Sequence, residues 1–189
     1  MRCHDSRFGA TEFNPGAGRG RFHPFRNPAG LGVPTLYGSD SLDGALSETV
    51  FHAVPMRGPG RAIERSALKA MLVSVLTCAR DLQLAQLHGY GLRRLEVSRT
   101  ELIESDADHY QKTVSWVQAL HASDPRIDGL IWVSRQHDTS FALVLFGDRV
   151  RRKDLSIAEP PVPLYVYPGF EWVNRAAEQA GIAILAVPE

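Results

Sequence analysis

GRGRFHPFRNPAGLGVPTLYGSDSLDGALSETVFH, residues 18–52, is the stretch on which the fold turns. A glycine-spaced turn leads into Arg21, a second loop rich in glycine and proline follows, and a β-favouring run from Val33 ends at Tyr37. Ser39, Asp40 and Ser41 then offer side-chain oxygens to the open N–H groups of a helix. Leu42, Ala45, Leu46 and Val50 recur behind them at helical spacing, which predicts a helix from about Ser41 to Val54, ended by Pro55. Glu48 and His52 stand one turn apart on the flank of that apolar stripe. An arginine, a tyrosine and a glutamate thus come from three consecutive elements that a fold can bring to one cleft. The rest of the chain reads as the scaffold and closing wall of that cleft.

Composition supports one soluble domain over residues 1–189, long enough to bury a substantial core and short for two. The 21 basic residues balance 21 acidic ones, so no global field draws the chain to nucleic acid or to an anionic membrane. Only Lys69, Lys112 and Lys153 are lysines; the arginine excess suits planar recognition of phosphate or carboxylate, and equally a GC-rich genome. Cys3 and Cys78 are isolated and lack metal-like spacing, which points to a reducing compartment. MRCHDSRFG lacks the apolar core of a signal peptide, and no apolar run is long enough to span a bilayer. The cytoplasm is the expected location, with no direct contact to membrane or nucleic acid.

Outward from the central stretch, residues 1–35 read as folded loop, with Phe8, Phe13, Phe22 and Phe25 as anchors. Met71 to Leu76 fits a helix or a buried strand; the preferred reading is a strand over Leu72–Cys78 with a break near Asp81. Leu92–Val97 is a further short apolar segment. A helix is expected over Asp106–Ala122, with Tyr110, Val114, Val117 and His121 along one stripe. Strands are expected at Ile127–Ser134 and Phe141–Gly147, joined by RQHDTS. PPVP at 160–163 is a stiff connector, Phe170–Gln179 a closing helix stopped by Gly181, and Ile182–Val187 a last strand.

Several motif readings fail on chemistry. GAGRG at 16–20 has no helix start after it, because Pro24 and Pro28 follow, so a dinucleotide-binding βαβ turn is excluded. Ser134, His137 and Asp138 lie within one loop, where triad geometry is not normally reached, and no GxSxG elbow exists. The seven histidines form no paired ligand spacing, so no metal is expected. Taken singly, Arg21 reads as a solvated loop residue, Tyr37 as a core tyrosine and Glu48 as a surface glutamate. Together they describe an anion-binding cleft with one carboxylate.

GRGRF…TLYGSDSLDGALSETVFH, followed far downstream by DGLIWVSRQHD, resembles the RES-domain family, named for its arginine, glutamate and serine. The resemblance covers nearly the whole chain. It implies an α+β fold, a single domain with a mixed, split sheet and a cleft, similar to ADP-ribosyltransferase toxins. It also implies degradation of NAD⁺ at the nicotinamide–ribose bond, by phosphorolysis or hydrolysis, as the toxin of a toxin–antitoxin pair. Carried over, the family's first arginine corresponds to Arg2, its glycine-turn arginine to Arg21, its tyrosine to Tyr37, its glutamate to Glu48 and its serine to Ser134. Met1 stands where the family has an aromatic residue, and Phe22-His23 replace its usual Trp-Asn.

On that resemblance Glu48, Arg2 and Tyr37 are the expected catalytic residues, and Arg21 and Ser134 the NAD⁺-binding ones. Glu48 would hold the ribose hydroxyls and stabilise positive charge on the sugar. The arginines would neutralise the pyrophosphate, and Tyr37 would stack on nicotinamide. Ser134 would position an amide, a ribose hydroxyl or the attacking group. No cofactor is implied, since NAD⁺ is the substrate and inorganic phosphate a possible co-substrate. The expected partner is an Xre-type antitoxin protein, and a homodimer is a family expectation. Transfer of ADP-ribose to a protein is the rival activity, and a non-enzymatic nucleotide-binding or interaction module the rival of a different class.

Overall fold

FALVLF, residues 141–146, forms a strand covered on both faces, and the larger sheet is built around it. A computed structural model describes residues 1–105, 108 and 110–186. In chain order the first strands are β1 (Arg2–Asp5), β2 (Thr35–Ser39), β3 (Ala62–Glu64), β4 (Met71–Ser74), β5 (Leu76–Cys78) and β6 (Leu84–Gln86). They are followed by β7 (Gly129–Val133), β8 (Phe141–Phe146), β9 (Leu155–Ile157), β10 (Val162–Pro163) and β11 (Ala183–Leu185). The helices are α1 (Leu42–Thr49), α2 (Tyr90–Arg94), α3 (Arg99–Leu102), α4 (Tyr110–Ser123) and α5 (Gly169–Ala180).

The fold is α+β with a mixed, split sheet. One sheet has the order β2-β8-β7-β6, antiparallel except for the parallel β6–β7 pair. The register sets Tyr37 opposite Val144 and Trp132 opposite Ala142. Alternation then puts Tyr37, Val144, Ala142, Leu130 and Trp132 on one face, against Phe22, Phe25 and Val117. Leu36 and Leu145 face the other way, onto Val150 and Leu155. A second sheet, β1-β4-β10, is antiparallel throughout.

The two sheets meet at one seam. Ser39 N–H donates to the Met1 carbonyl at 2.8 Å, and Met1 N donates to the Ser39 carbonyl at 2.5 Å. Helix α1 packs across that seam, touching β1, β2 and β8. Ser41 caps it, its hydroxyl accepting from Gly44 N–H at 3.0 Å. The close approach requires Gly44, since a Cβ there would lie 2.2 Å from Ser39 Oγ and 2.7 Å from Ser140 Cβ. Leu46 and Phe51 anchor the helix in a second core cluster with Leu68, Val73, Leu164 and Val173.

Expectation and structure differ in several places. The α1 helix ends at Thr49 rather than Val54, because Phe51 turns into the second cluster. The apolar run from Leu72 to Cys78 is two strands broken at Val75: β4 pairs with β1 and β10, while β5 pairs with β9. The short apolar segment Leu92–Val97 forms the end of α2 and the chain just beyond it. PPVP is not only a connector, since Val162 and Pro163 form an edge strand on β4. The buried side of α4 is Thr113, Val117, Leu120 and His121, rotated from the expected stripe, which leaves Tyr110 and Val114 half-buried. The expected start of that helix at Asp106 lies outside the described residues, as does Val187 of the last strand. Gly181 does stop α5, at φ 64°. Both thiols are free. Among the described residues no helix is long and apolar enough to cross a membrane.

Candidate active site

Arg21 sits at the tip of a four-residue turn. Gly20 N–H donates to the His23 carbonyl at 2.9 Å and His23 N–H returns to Gly20 at 3.4 Å, which puts Arg21 and Phe22 at the corners. Phe22 is fully buried, edge-on to Trp132 at 5.0 Å between centroids, and so pins the turn to the sheet. Tyr37 holds the same turn from β2: its hydroxyl accepts from Phe22 N–H at 3.2 Å and lies 3.2 Å from His23 Nδ1. Thr113 of α4 donates to the Arg21 carbonyl. The Arg21 guanidinium uses Nη1 on Ser105, carbonyl and hydroxyl, at 3.0 and 2.9 Å, and lies 5.5 Å from the Tyr110 ring centroid. Its Nε and Nη2 make no hydrogen bond among the described residues.

Burial raises the Tyr37 hydroxyl well above its ordinary pKa, so it stays a phenol at any physiological pH. Burial lowers His23, with the Ala17 carbonyl pulling the other way. With Phe22 N–H already on the Tyr37 oxygen, the phenol proton is directed at the neutral His23 Nδ1. Tyr37 therefore offers the cleft its ring, while its hydroxyl serves the turn.

Glu48 faces this turn across a chamber of about 200 Å³. Arg21, Tyr37, Glu48, His52, Trp132 and Arg135 all contribute to its wall, and Glu48 is the one carboxylate among the described lining residues. Ser134 Oγ donates to Glu48 Oε1 at 2.6 Å, and Arg135 N–H donates to the same oxygen at 3.2 Å. Oε2 has no protein partner among the described residues and is the open acceptor of the site. Burial lowers Arg21, and the nearby Arg135 guanidinium acts in the same direction, against the pull of Tyr110 and Glu48. Among the described residues three guanidiniums, those of Arg19, Arg21 and Arg135, and one carboxylate thus line the chamber, a distribution suited to an anionic ligand with a cationic centre.

The structure brings Glu48, Tyr37 and Arg21 to one wall-to-wall site. Ser134 and Arg2 are placed differently. Ser134 is fully buried, and its hydroxyl is saturated by the bond to Glu48 and by Gln136 N–H and His137 N–H, both at 3.0 Å. It contacts the carboxylate, not the chamber. Arg2 points away from the cleft because β1 alternates, putting Cys3 on the chamber side. Its Nη1 donates to the carbonyls of Ala10 at 2.7 Å and Glu12 at 2.8 Å, tying down the loop after β1. Burial pushes the Cys3 thiol up to about 12, so it is no nucleophile.

A second network fixes helix and loop to each other. Gly44 N–H donates to Ser41 Oγ, which lies 2.5 Å from Ser140 Oγ, itself 2.7 Å from His137 Nδ1. The backbone that carries Ser134 is thus bolted to the N-terminus of the helix that carries Glu48. Residue-by-residue reading missed Arg19, Tyr110, Trp132, Arg135 and Gln136 as cleft residues. Trp132, Arg135 and Gln136 stand around Ser134 within the run DGLIWVSRQHD, and Arg19 within GRGRF; Tyr110 lies outside both.

The family model of the RES domain matches residues 1–165. The chain belongs to the RES-domain family. No curated protein and no solved structure matches it. The matched span of the RES domain includes the whole arginine turn, α1 and the Ser134 loop, while α5 and β11 follow it.

Within this RES domain, Ser134→Ala tests whether the serine acts through Glu48. The variant leaves Glu48 Oε1 with Arg135 N–H alone and removes the acceptor of two backbone N–H groups. The expected result is a fall in kcat of roughly 10- to 100-fold, the scale of a displaced catalytic group, with KM changed less than about threefold. A rise in KM at constant kcat would instead make Ser134 a substrate contact.

Proposed function

We propose that the protein cleaves the bond between nicotinamide and ribose of NAD⁺. The observation that carries this reading is Glu48, the one carboxylate among the described lining residues of the chamber, held on Oε1 by Ser134 and Arg135, with no partner on Oε2 among the described residues. Ordinary glycosidases need two carboxyl groups, one of them to protonate the leaving oxygen. Nicotinamide bound to ribose is already cationic: when the C–N bond breaks, its electron pair returns to the ring nitrogen and the group leaves neutral. One carboxylate then suffices. Glu48 Oε2 takes a ribose hydroxyl and stabilises charge developing on the sugar. Tyr37 and Trp132 present aromatic surface for the nicotinamide ring. Arg21 and Arg135 face the pyrophosphate. The new bond to the anomeric carbon comes from water, which gives up its proton to solvent, or from inorganic phosphate.

Membership of the RES family supports a toxin-like role, with an Xre-type antitoxin protein as the neutralising partner. Ser134 is here a positioning residue for Glu48, and Arg2 a residue of the scaffold.

Incubation of the purified protein with NAD⁺, with and without phosphate, is the test. Nicotinamide release is expected, accompanied by ADP-ribose-1″-phosphate if phosphate attacks or free ADP-ribose if water does. ADP-ribosylated protein as the only product would favour the transferase, and intact NAD⁺ under all conditions would leave a binding module. Expression with and without the neighbouring reading frame tests the toxin pairing: arrested growth relieved by the neighbour is expected.

A further inference from the structure

The imidazole of His23 is bonded to Tyr37 and lines the chamber, yet cleavage of the nicotinamide–ribose bond gives it no task. Its Nδ1 lies 3.2 Å from the Tyr37 hydroxyl, and the two rings meet edge-on at 5.4 Å between centroids. The ring occupies the space that a side chain on Gly20 would need, since a Cβ there would stand 2.4 Å from Cε1 and 2.5 Å from Nδ1. Backbone bonds between the same two residues close the turn that carries Arg21. Ring and turn are therefore packed as one piece.

The Tyr37 oxygen accepts the Phe22 N–H at 3.2 Å and has one proton to donate, for which Nδ1 is the acceptor among the described residues. That bond needs an unprotonated Nδ1. The Ala17 carbonyl draws on the ring as an acceptor, and with Nδ1 turned to Tyr37 the ring N–H falls to Nε2. Protonation of Nδ1 would aim two N–H donors at one phenol oxygen and leave the phenol proton without that acceptor. Burial holds Tyr37 as a phenol, so it cannot shed the proton to accommodate the second donor. The bond would break, and the turn would lose a tie to β2.

Arg19 and Arg21 flank the ring on its own turn, Tyr37 meets it from β2, and Asp108 and Tyr110 line with it the cavity on the α4 side. Glu48, His52 and Arg135 line the same chamber. Burial is the larger influence on the imidazole and favours the neutral ring; the Ala17 carbonyl opposes it. The neutral form is thus present at neutral pH and lost as the pH falls below the ordinary imidazole value of about 6.5.

We infer that His23 is a positioning residue: its neutral imidazole accepts the Tyr37 proton, fixes the turn that carries Arg21, and so makes turnover depend on an unprotonated Nδ1. The inference rests on the NAD⁺ reading for the activity measured, and on the His23–Tyr37 bond for the mechanism.

Nicotinamide release from NAD⁺ is measured against pH in the unmodified protein, in His23→Leu and in His23→Asn. Leucine fills similar space without an acceptor, whereas the asparagine Oδ1 stands near the place of Nδ1, accepts the phenol proton and does not titrate. At about pH 8, where the imidazole is neutral, His23→Leu is expected to lower kcat roughly 10- to 100-fold, the scale of a displaced catalytic constellation. His23→Asn is expected to recover most of that loss. In the unmodified protein kcat/KM should fall roughly tenfold per pH unit once His23 is protonated, and His23→Asn should lack that acid limb. An acid limb of His23→Asn that superimposes on the parent's would overturn the inference, as would full activity of His23→Leu. Equal losses in folded leucine and asparagine variants would reduce the ring to packing and overturn it too. Should the unmodified protein release no nicotinamide, the NAD⁺ reading falls, and the imidazole nitrogen NMR shifts decide the inference without turnover or a variant. A bare Nδ1 beside a protonated Nε2 at neutral pH is expected; a protonated Nδ1 would overturn it.

Discussion

Glu48→Gln is expected to lower turnover of NAD⁺ by about 10²-fold or more while leaving the melting temperature within a few degrees. Among the described residues both protein hydrogen bonds to the side chain fall on Oε1, from Ser134 Oγ and from Arg135 N–H. A glutamine carbonyl oxygen accepts both, so the loop and helix keep their geometry. What changes is Oε2, where an N–H₂ donor replaces an acceptor carrying negative charge. An oxocarbenium-like sugar facing a donor loses both the hydrogen bond to its hydroxyl and the electrostatic stabilisation of its charge. The loss should fall on kcat as well as kcat/KM, because the interaction is strongest in the transition state. Near-normal turnover in a well-folded Glu48→Gln protein would reduce Glu48 to a half-exposed helix residue.

The conservative variant separates rival chemistries as well. A carboxylate that only binds ribose hydroxyls would give a raised KM and an intact kcat when changed to glutamine. The charge-stabilising role predicts a fallen kcat instead, and the product analysis with and without phosphate is independent of both.

Much of this site is written in the sequence because its parts are local. The serines before α1, the glycine spacing around Arg21 and the β-favouring run from Val33 to Tyr37 each specify their element within a few residues. Ser39, Ser41 and Gly44 do more than cap the helix, however. They let it approach the Ser140 loop closely, and that tolerance appears only once β2 and β8 are paired. What was not legible depends on long-range register. The direction of Arg2 follows from Arg2 opposing Ser74 and Cys3 opposing Val73, a pairing across the whole of the chain from β1 to β4. The role of Ser134 likewise changes with burial: its position after a strand is visible in the sequence, but its saturation by two loop N–H groups and Glu48 is not. Tyr110 carries the helical period of α4, but that period marks it for the core rather than the cleft, and Arg19 reaches the cleft from a loop tip where no periodicity marks it. The split of Leu72–Cys78 into β4 and β5 is hidden for the same reason, since each half answers to a different partner.

Phe22 is where fold and site are coupled most tightly, and Phe22→Ala is expected to show it. The ring is fully buried and meets Trp132 edge-on at 5.0 Å, within the cluster that also holds Phe25, Val144 and Phe146. Truncation of such a ring leaves a cavity and costs about 3–5 kcal/mol. For a chain of 189 residues that lowers the melting temperature on the order of 10 °C. The same change releases the turn, since the Phe22 ring is what holds Arg21 over the chamber and what keeps Phe22 N–H on the Tyr37 hydroxyl. Turnover by the protein that remains folded should therefore fall well beyond the loss of folded fraction, measured well below the melting transition. Phe22→Leu retains most of the apolar volume and the backbone bond, and is expected to recover most of the stability and most of the rate together. Recovery of stability without recovery of rate would show that the aromatic ring itself, rather than the volume beneath the turn, sets the position of Arg21. A melting temperature for Phe22→Ala within about 2 °C of the parent would remove the turn from the core and with it the coupling.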